Sequence, residues 1–565
     1  MRKIANEAVE VAAPIMSTGH GEASGTRLLL IRLVMCMGIF LCMLDTTIMN
    51  IALPAIQVHM GVTLKSLSWA LNIYTITFAV MTIPLGRIAE IYGKNKIYIL
   101  GFVVFCGGSL ICALANDVAM LIVGRAVQSL GAAVVFPTSM VIGISTATLE
   151  KRSTVIGMLG ISQGLSAALG PTIGGVLTEF LGWRWVFMIN VPLGLAAILA
   201  ALYCLNTKFE ERLRAKIDYH GALWCVLFMF SLTFALTQVK TWGWSDWRII
   251  VSFMVSLLSF FIFIGVEKRS KSPMIPLSLF KDRQFNASSL TVILSNLFLV
   301  GVTVLLPTFL TRLNGESELR AALLITPVSA MIFFFSPIAG FFVSRFGAKA
   351  VIFAGFMAMG VAYYLFFHLE AGHGYGQLIA ACLILGFGYG IIVGPITALS
   401  ASNFTGELLT ASQSVIGVLR QVGIVLAVAI FVSALTGNIE NAKTQIMSYA
   451  NKEVATLNLP DQQKETVLAK TKANMEKESA GVKAAEKQEV ATSGGAVSAL
   501  ADYASDIQIY SKKKMTHSFS SLYGIALFFI VASSAVALAY PNENRRTGRT
   551  NASKPPRRSS SGSLA

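Results

Sequence analysis

The feature that most constrains this chain is a succession of apolar blocks, each about 20 residues long, set between short polar loops. A helix of that length covers the hydrocarbon core of a bilayer, and it satisfies its own backbone hydrogen bonds where water is absent. A transmembrane barrel would read as shorter segments of alternating polarity. The chain is 55% hydrophobic and only 13% charged, roughly half the charge of an ordinary soluble domain. The blocks therefore predict an all-α polytopic membrane protein.

A net charge of +16 raises the question of nucleic acid. The basic residues, however, sit in short loops and tails between apolar blocks, where the positive-inside rule places them, so no nucleic-acid partner is expected. Cys36, Cys42, Cys106, Cys112, Cys204, Cys225 and Cys382 all fall inside apolar blocks without a CxxC pair. They read as small buried hydrophobes, with no metal, haem or iron–sulfur site. Residues 1–27 are polar and the first block, 28–53, is too long for a signal-peptide core, so it reads as a retained first span.

Length and flanking polarity predict about fourteen spans, near 28–53, 67–90, 97–115, 118–140, 154–180, 184–204, 219–239, 248–267, 287–310, 319–343, 349–368, 377–400, 409–436 and 516–540. The loops after even-numbered spans carry Lys94, Lys96, Lys151, Arg152, Lys208, Arg212, Arg214, Lys216, Lys268, Arg269, Lys271, Arg345 and Lys349. The loops after odd-numbered spans are poorer in Lys and Arg. Both termini are thereby expected on the cytoplasmic side. Residues 437–515, rich in Lys, Glu and Ala, are expected as a long outer loop, partly helical around 462–487 and interrupted at Gly494 and Gly495. Long loops translocate largely regardless of charge. The Arg-, Ser- and Pro-rich tail, 541–565, reads as disordered.

An internal repeat adds the organisation. The chain reads PLGRIAEIYGK at 84–94, after the second span, and PIAGFFVSRFGAK at 337–349, after the tenth. Each carries a Gly that closes a helix (Gly86, Gly340), a second Gly seven residues later (Gly93, Gly347), and then a basic residue. Glycine permits close helix approach and tight turns. In a duplicated six-plus-six transporter the partner of span 2 would be span 8. Here it is span 10, so two extra spans lie between parallel halves. The expected division is a six-helix bundle over 28–204, two inserted helices over 205–267, and a second six-helix bundle over 268–540.

At this point the chain resembles the major facilitator superfamily, and within it the fourteen-span drug:proton antiporters. The turn from Gly86 is similar to that family's loop signature, with Glu90 where Asp is usual and Ile91 where Arg is usual. LDTTIMNIALP at 44–54 resembles the span-1 signature, RAVQSLGAA at 125–133 the span-4 motif, and GPTIGG at 170–175 the span-5 antiporter motif. WRWVFMINVPLG at 183–194 matches the start of span 6. The second half matches more loosely, through 276–285, the loop with Arg345, and RQVG at 420–423. The resemblance implies the major facilitator fold, the proton gradient as energy source without a cofactor, and a hinge role for Gly170, Pro171, Gly174 and Gly175. Close packing alone is the other reading of those glycines, together with Gly164.

Asp45 is the acidic residue well inside an apolar span, and such residues face a cavity or a partner. Counting from the outer ends of spans 1 and 4, Asp45 and Arg125 both lie roughly 10–12 Å below the boundary at 1.5 Å per residue. They can meet if those spans are neighbours. Burial and a nearby guanidinium act on a carboxyl in opposite directions, and an Arg keeps its proton. Asp45 is therefore the group able to load and unload a proton, with Arg125 tuning it. A static pair that fixes helix register is the alternative. Gln128, three residues on, shares the face of Arg125. Arg420 lies deep in span 13 without an evident acidic partner, facing backbone carbonyls or a polar or anionic substrate group. Asn50, Asn72, Tyr74, Gln163 and Asn296 are polar candidates for a substrate cavity at mid-depth between the halves. The neutral amide of Asn72 argues against a strong preference for dicationic substrates.

No Walker loop or catalytic constellation is visible, and His59, His220, His368 and His373 stand singly near span ends. The expected function is proton-coupled efflux of lipophilic, often cationic compounds across the cytoplasmic (inner) membrane. The alternatives are a proton-linked exporter or exchanger of a metabolite, lipid or siderophore, and a non-transporting receptor on the same fold. The implied partners are the lipid bilayer, protons and small hydrophobic or cationic molecules. A monomer is expected, with envelope adaptors left open.

Overall fold

The computed structural model describes residues 25–541, except 63, 149–151, 209, 211, 214–215, 370–373, 458–459 and 481–494. The expected tail from 542, most of the N-terminal segment, and Gly494 lie outside the described residues. Every element among the described residues is helical. The first half contains α1 (Gly25–Met60), α2 (Leu64–Tyr92), α3 (Lys94–Ala113), α4 (Val118–Ser145), α5 (Arg152–Phe180), the short α6 (Arg184–Met188) and α7 (Asn190–Cys204). The helices α8 (Tyr219–Trp242) and α9 (Trp247–Arg269) follow. The second half contains α10 (Arg283–Arg312), α11 (Glu318–Phe367), α12 (Gly376–Ala401), α13 (Gly406–Ala427), α14 (Ser433–Thr456), α15 (Asp461–Ala480) and α16 (Gly495–Ser533).

Twelve helices among the described residues are long and apolar enough to cross a membrane. One of them, α11, is two helices joined across Gly347 at φ 82°. In α5 the apolar stretch is the shorter Thr154–Ser166. The polytopic all-helical architecture follows from these lengths, since each helix hides its polar backbone from lipid.

Helices α3 and α4 pack almost backbone to backbone. A methyl at Gly108 would run into the backbone of Gln128, and one at Gly131 into that of Phe105. This approach, which small residues allow in lipid, sets Ser109 of α3 against Gln128 of α4. The halves meet where α2 packs on α13 and α5 on α11. The pair α8–α9 packs against α2 and joins Val425 and Ala429 of the second half through Leu236, Val239 and Ile249.

The two repeat turns agree at their second glycine and differ at their first. Gly93 (φ 113°) and Gly347 (φ 82°) both adopt left-handed backbone, which a side chain would strain. Gly86 sits against α13, where an added carbon would come within 2.6 Å of Ser414 Oγ. Gly340 does not form the expected close approach: a carbon there would meet nothing within 4 Å. Its helix face is open at that height.

In the stretch expected as a long, partly helical loop, 437–515, most of the described residues are helical and continue the flanking spans. From α13 the chain runs through a π-helical turn, Val428–Val432, directly into α14, and α16 enters the membrane as one helix from Gly495. Ile446, Ala450 and Val454 recur every four residues and are buried, an apolar stripe of helical period. They pack with Tyr503 and Ile507 of α16, and the Tyr449 and Tyr510 rings stack at 4.1 Å. The helix expected around 462–487 is α15, whose Val467 and Leu468 pack on the same cluster.

Candidate functional site

Five helices converge on Asp45. The start of α4 is set by Asp117, whose side chain accepts the Met120 N–H at 2.7 Å. Two helical turns later Arg125 faces α1. Arg125 Nη1 donates to Asp45 Oδ2 at 2.5 Å and to Gln128 Oε1 at 2.8 Å. Gln128 Nε2 donates to Asp45 Oδ1 at 2.7 Å and to Ser109 Oγ at 3.0 Å. Asn190, the first residue of α7, donates to Asp45 Oδ1 at 3.2 Å and to Ser109 Oγ at 3.0 Å. Arg125 Nε reaches the Ala70 carbonyl of α2 at 3.4 Å. The Tyr74 ring lies under its guanidinium, 4.1 Å from centroid to Cζ.

Asp45 and Gln128 are fully buried and Arg125 is 1% exposed. Charges at this burial persist because both are paired and hydrogen-bonded. Among the side chains that hydrogen-bond in this cluster, Asp45 is the carboxylate and the others are its donors or their partners. The structure thus brings Asp45, Arg125, Gln128 and Tyr74 together. Gly170 and Gly174 set α5 against α1 beside this site: a carbon at Gly170 would strike the Thr47 side chain, and one at Gly174 would lie 2.9 Å from Ile48. Gly175 is half-buried on the same helix. The side chains of Asn50 and Pro171 lie outside the described residues.

A second polar group lies between the halves. Arg420 of α13 donates through Nη1 to Gln163 Oε1 of α5, and its guanidinium faces the Phe136 ring of α4 at 5.8 Å. Asn296 of α10 accepts from Tyr389 Oη of α12 at 3.0 Å. Gly164, one residue past Gln163, lets α5 approach Phe333 of α11, whose Cα would be 3.3 Å from an added carbon. Asn72 is half-buried on α2, apart from both groups in hydrogen bonding.

The third cluster lies at the end of the bundle that holds the repeat turns. Arg87 Nη1 bridges Glu90 Oε2 at 2.8 Å and Glu407 Oε1 at 2.6 Å. Glu407 opens α13, so this contact ties the two halves together. Glu90 performs the pairing in the position where Asp was the family's usual residue. The counterpart turn carries Ser344 and the exposed Arg345, whose guanidinium faces Phe346. Beside the clamp, Glu267 at the end of α9 is 3% exposed. It accepts the N–H groups of Met274 and Ile275 at 3.1 and 3.3 Å, and those two residues line a narrow cleft with Arg87, Glu90 and Ser414.

Sequence reading missed Asn190, Ser109, Glu407 and Glu267 as site residues. Asn190 stood inside the span-6 motif as a polar residue in an apolar run, which was its one available signal. Glu267 stood at a span end, where a carboxylate is ordinarily solvated.

This arrangement, helical halves meeting around buried polar groups, defines a class of membrane transporter. The profile of the Major Facilitator Superfamily matches residues 35–428, and the chain belongs to that superfamily. It is 30% identical to the methylenomycin A resistance protein of Bacillus subtilis (strain 168), over 72% of this chain and 88% of that one. It is 29% identical to the multidrug resistance protein Stp of Mycobacterium tuberculosis (strain CDC 1551 / Oshkosh), over 71% and 74%. It is 29% identical to the tetracenomycin C resistance and export protein of Streptomyces glaucescens, over 70% and 74%. Among solved structures, the human organic anion transporter MFSD10 (TETRAN) shares the fold with a TM-score of 0.52 at 12% identity, covering 73% of this chain and 95% of that one. The chain is accordingly a multi-pass membrane protein of a transporter superfamily.

Proposed function

We propose that this protein is a proton-coupled antiporter that exports lipophilic small molecules across the cytoplasmic membrane, and that it is a transporter rather than an enzyme. The observation that carries the reading is a carboxylate, Asp45, the most deeply buried among the described residues, held by Arg125, Gln128 and Asn190 inside the first half. Protonation of Asp45 breaks its ion pair with Arg125 and weakens the hold of α1 on α4, while deprotonation restores it. A proton taken up on one side and released on the other thereby biases how the first half packs. The drug-resistance and export roles in the names of relatives matched over about seventy percent of this chain support small-molecule efflux as the driven process.

On this reading the membrane contains six spans, then two, then six, with both ends of the chain cytoplasmic. The Arg87–Glu407 contact then lies on the cytoplasmic side and closes that side. The substrate path runs between the halves, past Gln163, Asn296 and Arg420, and Gly164, Gly170 and Gly174 let α5 slide against α1 and α11. The protein acts as a monomer.

The test is efflux from inverted membrane vesicles energised by an imposed proton gradient, against a panel of lipophilic cations, dyes and antibiotics. Wild type should acidify or alkalinise the lumen in step with substrate movement, and Asp45→Asn should do neither at normal membrane yield. Full pumping by Asp45→Asn would reduce the Asp45–Arg125 pair to a structural element and remove the proposed coupling site.

A further inference from the structure

Among the described buried carboxylates, each is already engaged. Asp45 pairs with Arg125 and Glu90 with Arg87, while Glu267 takes two backbone N–H groups. Arg420 is 7% exposed and has no carboxylate partner among the described residues. Its protein contacts are one carboxamide oxygen, Gln163 Oε1, and the face of Phe136. Its buried Nε has no hydrogen-bond partner in the described structure. A guanidinium is a five-donor fork suited to a planar oxyanion, so most of its donor capacity is unused here. A buried cation in low dielectric without a counter-ion is an arrangement that protein interiors otherwise avoid.

Its position is that of a ligand site. Arg420 lies fourteen positions into α13, about 21 Å along the helix from Gly406 at 1.5 Å per residue. Asn296 lies thirteen positions into α10 and Gln163 eleven into α5, so all three sit near mid-depth. The surrounding groups come from both halves: Gln163 and Phe136 from the first, Tyr389 and Asn296 from the second. Gln163 holds Arg420 loosely in kind. Among the described residues its own amide nitrogen has the Met140 sulfur as its hydrogen-bond partner, at 4.0 Å, so rotation of the carboxamide frees the guanidinium and turns an N–H donor toward the same space.

We propose that Arg420 and Gln163 form an anion-recognising subsite, and that the protein accepts lipophilic molecules bearing a carboxylate or a comparably acidic oxygen. The acidic group displaces the Gln163 oxygen from Arg420 and pairs with the guanidinium, leaving the apolar body against Phe136 and its neighbours. A ligand whose only charge is positive meets an uncompensated guanidinium at this point. Because Gln163 and Arg420 belong to opposite halves, exchanging their contact for a ligand contact alters what joins the halves at mid-depth. The inference rests on the efflux reading and narrows its substrate class.

The experiment uses the full chain in proteoliposomes with an imposed proton gradient. The probes are a coumarin carboxylate dye, the primary amide of the same dye, and ethidium. Initial rates are read as carboxylate-to-amide and carboxylate-to-ethidium ratios. Arg420→Gln should lower both ratios at least tenfold. Gln163→Glu supplies a built-in carboxylate for Arg420, keeps the buried charge paired, and should also lower both ratios at least tenfold. Unchanged ratios in either variant, with the carboxylate still moved, would overturn the subsite. Wild type that moves ethidium but not the carboxylate would overturn it while leaving efflux standing. Wild type that moves none of the probes or the wider panel overturns the efflux reading and this inference with it.

Discussion

Arg125 and Arg420 bring the same charge into the membrane, one from each half, and the fold treats them oppositely. Arg125 has a carboxylate at 2.5 Å, an amide at 2.8 Å and an aromatic face below it, all from its own half. Arg420 has one amide and one ring, both from the other half. The first arrangement is closed within its own half; on the proposed mechanism its state changes when a proton arrives. The second spans the two halves, so on the proposed subsite its state changes when the halves move or a ligand enters. The repeat turns echo the contrast: Gly86 and Arg87 are locked onto α13, whereas Gly340 and Arg345 face open space. One half therefore pairs its buried guanidinium with a carboxylate of its own, and the other leaves its guanidinium without one among the described residues.

The largest effect expected from breaking this contrast is at Asp45. Asp45→Asn keeps the side-chain volume and removes the titratable group, and proton-driven efflux in inverted vesicles should fall on the order of 100-fold, the lower range for loss of a proton-transfer group. Next comes Arg125→Met, which strands the Asp45 carboxylate. It should cost about 3–5 kcal/mol of stability, read as a drop in thermal midpoint in detergent. Combining it with Asp45→Asn should recover much of that loss, and failure to recover would show that Arg125 matters for packing rather than charge. Glu267→Gln weakens a charge-assisted grip on Met274 and Ile275 and should cost about 1.5–3 kcal/mol, with faster hydrogen exchange at those two amides as the local readout. The smallest effects separate the turns. Gly86→Ala makes the Ser414 hydroxyl turn aside and should cost up to about 1 kcal/mol, whereas Gly340→Ala should stay within about 0.5 kcal/mol. Equal costs at the two glycines would contradict the asymmetric closure.

The parts of the molecule that depend on one helix at a time were legible in the sequence. Block length placed the apolar helices, spacing put Gln128 on the face of Arg125, and the repeat located the two glycines that need positive φ. Depth counting even matched Asp45 to Arg125, because both distances are measured along a helix axis. What could not be read is everything that depends on which helix stands beside which, and at what rotation. Asn190 reaches Asp45 from one further helix and Ser109 of another accepts from Gln128 and Asn190, Glu407 reaches Arg87 across 320 residues, and Gln163 reaches Arg420 across 257. Periodicity defines a face and a height on each helix. The neighbour that fills that face is chosen by packing, here by contacts such as Gly108 on Gln128 and Gly131 on Phe105, where the absence of a side chain lets two backbones touch. The same reason explains the hairpin beyond α13: composition alone marked 437–515 as polar, and only the stacking of Tyr449 on Tyr510 and of Ala450 and Val454 on Ile507 shows why it stays helical. The sequence by itself determined a membrane-spanning helical chain with one acid and two arginines at depth. The tertiary structure decided that one arginine is paired with a carboxylate and the other, among the described residues, is not, because charge compensation is a matter of distances between helices, and those exist only once the helices are packed.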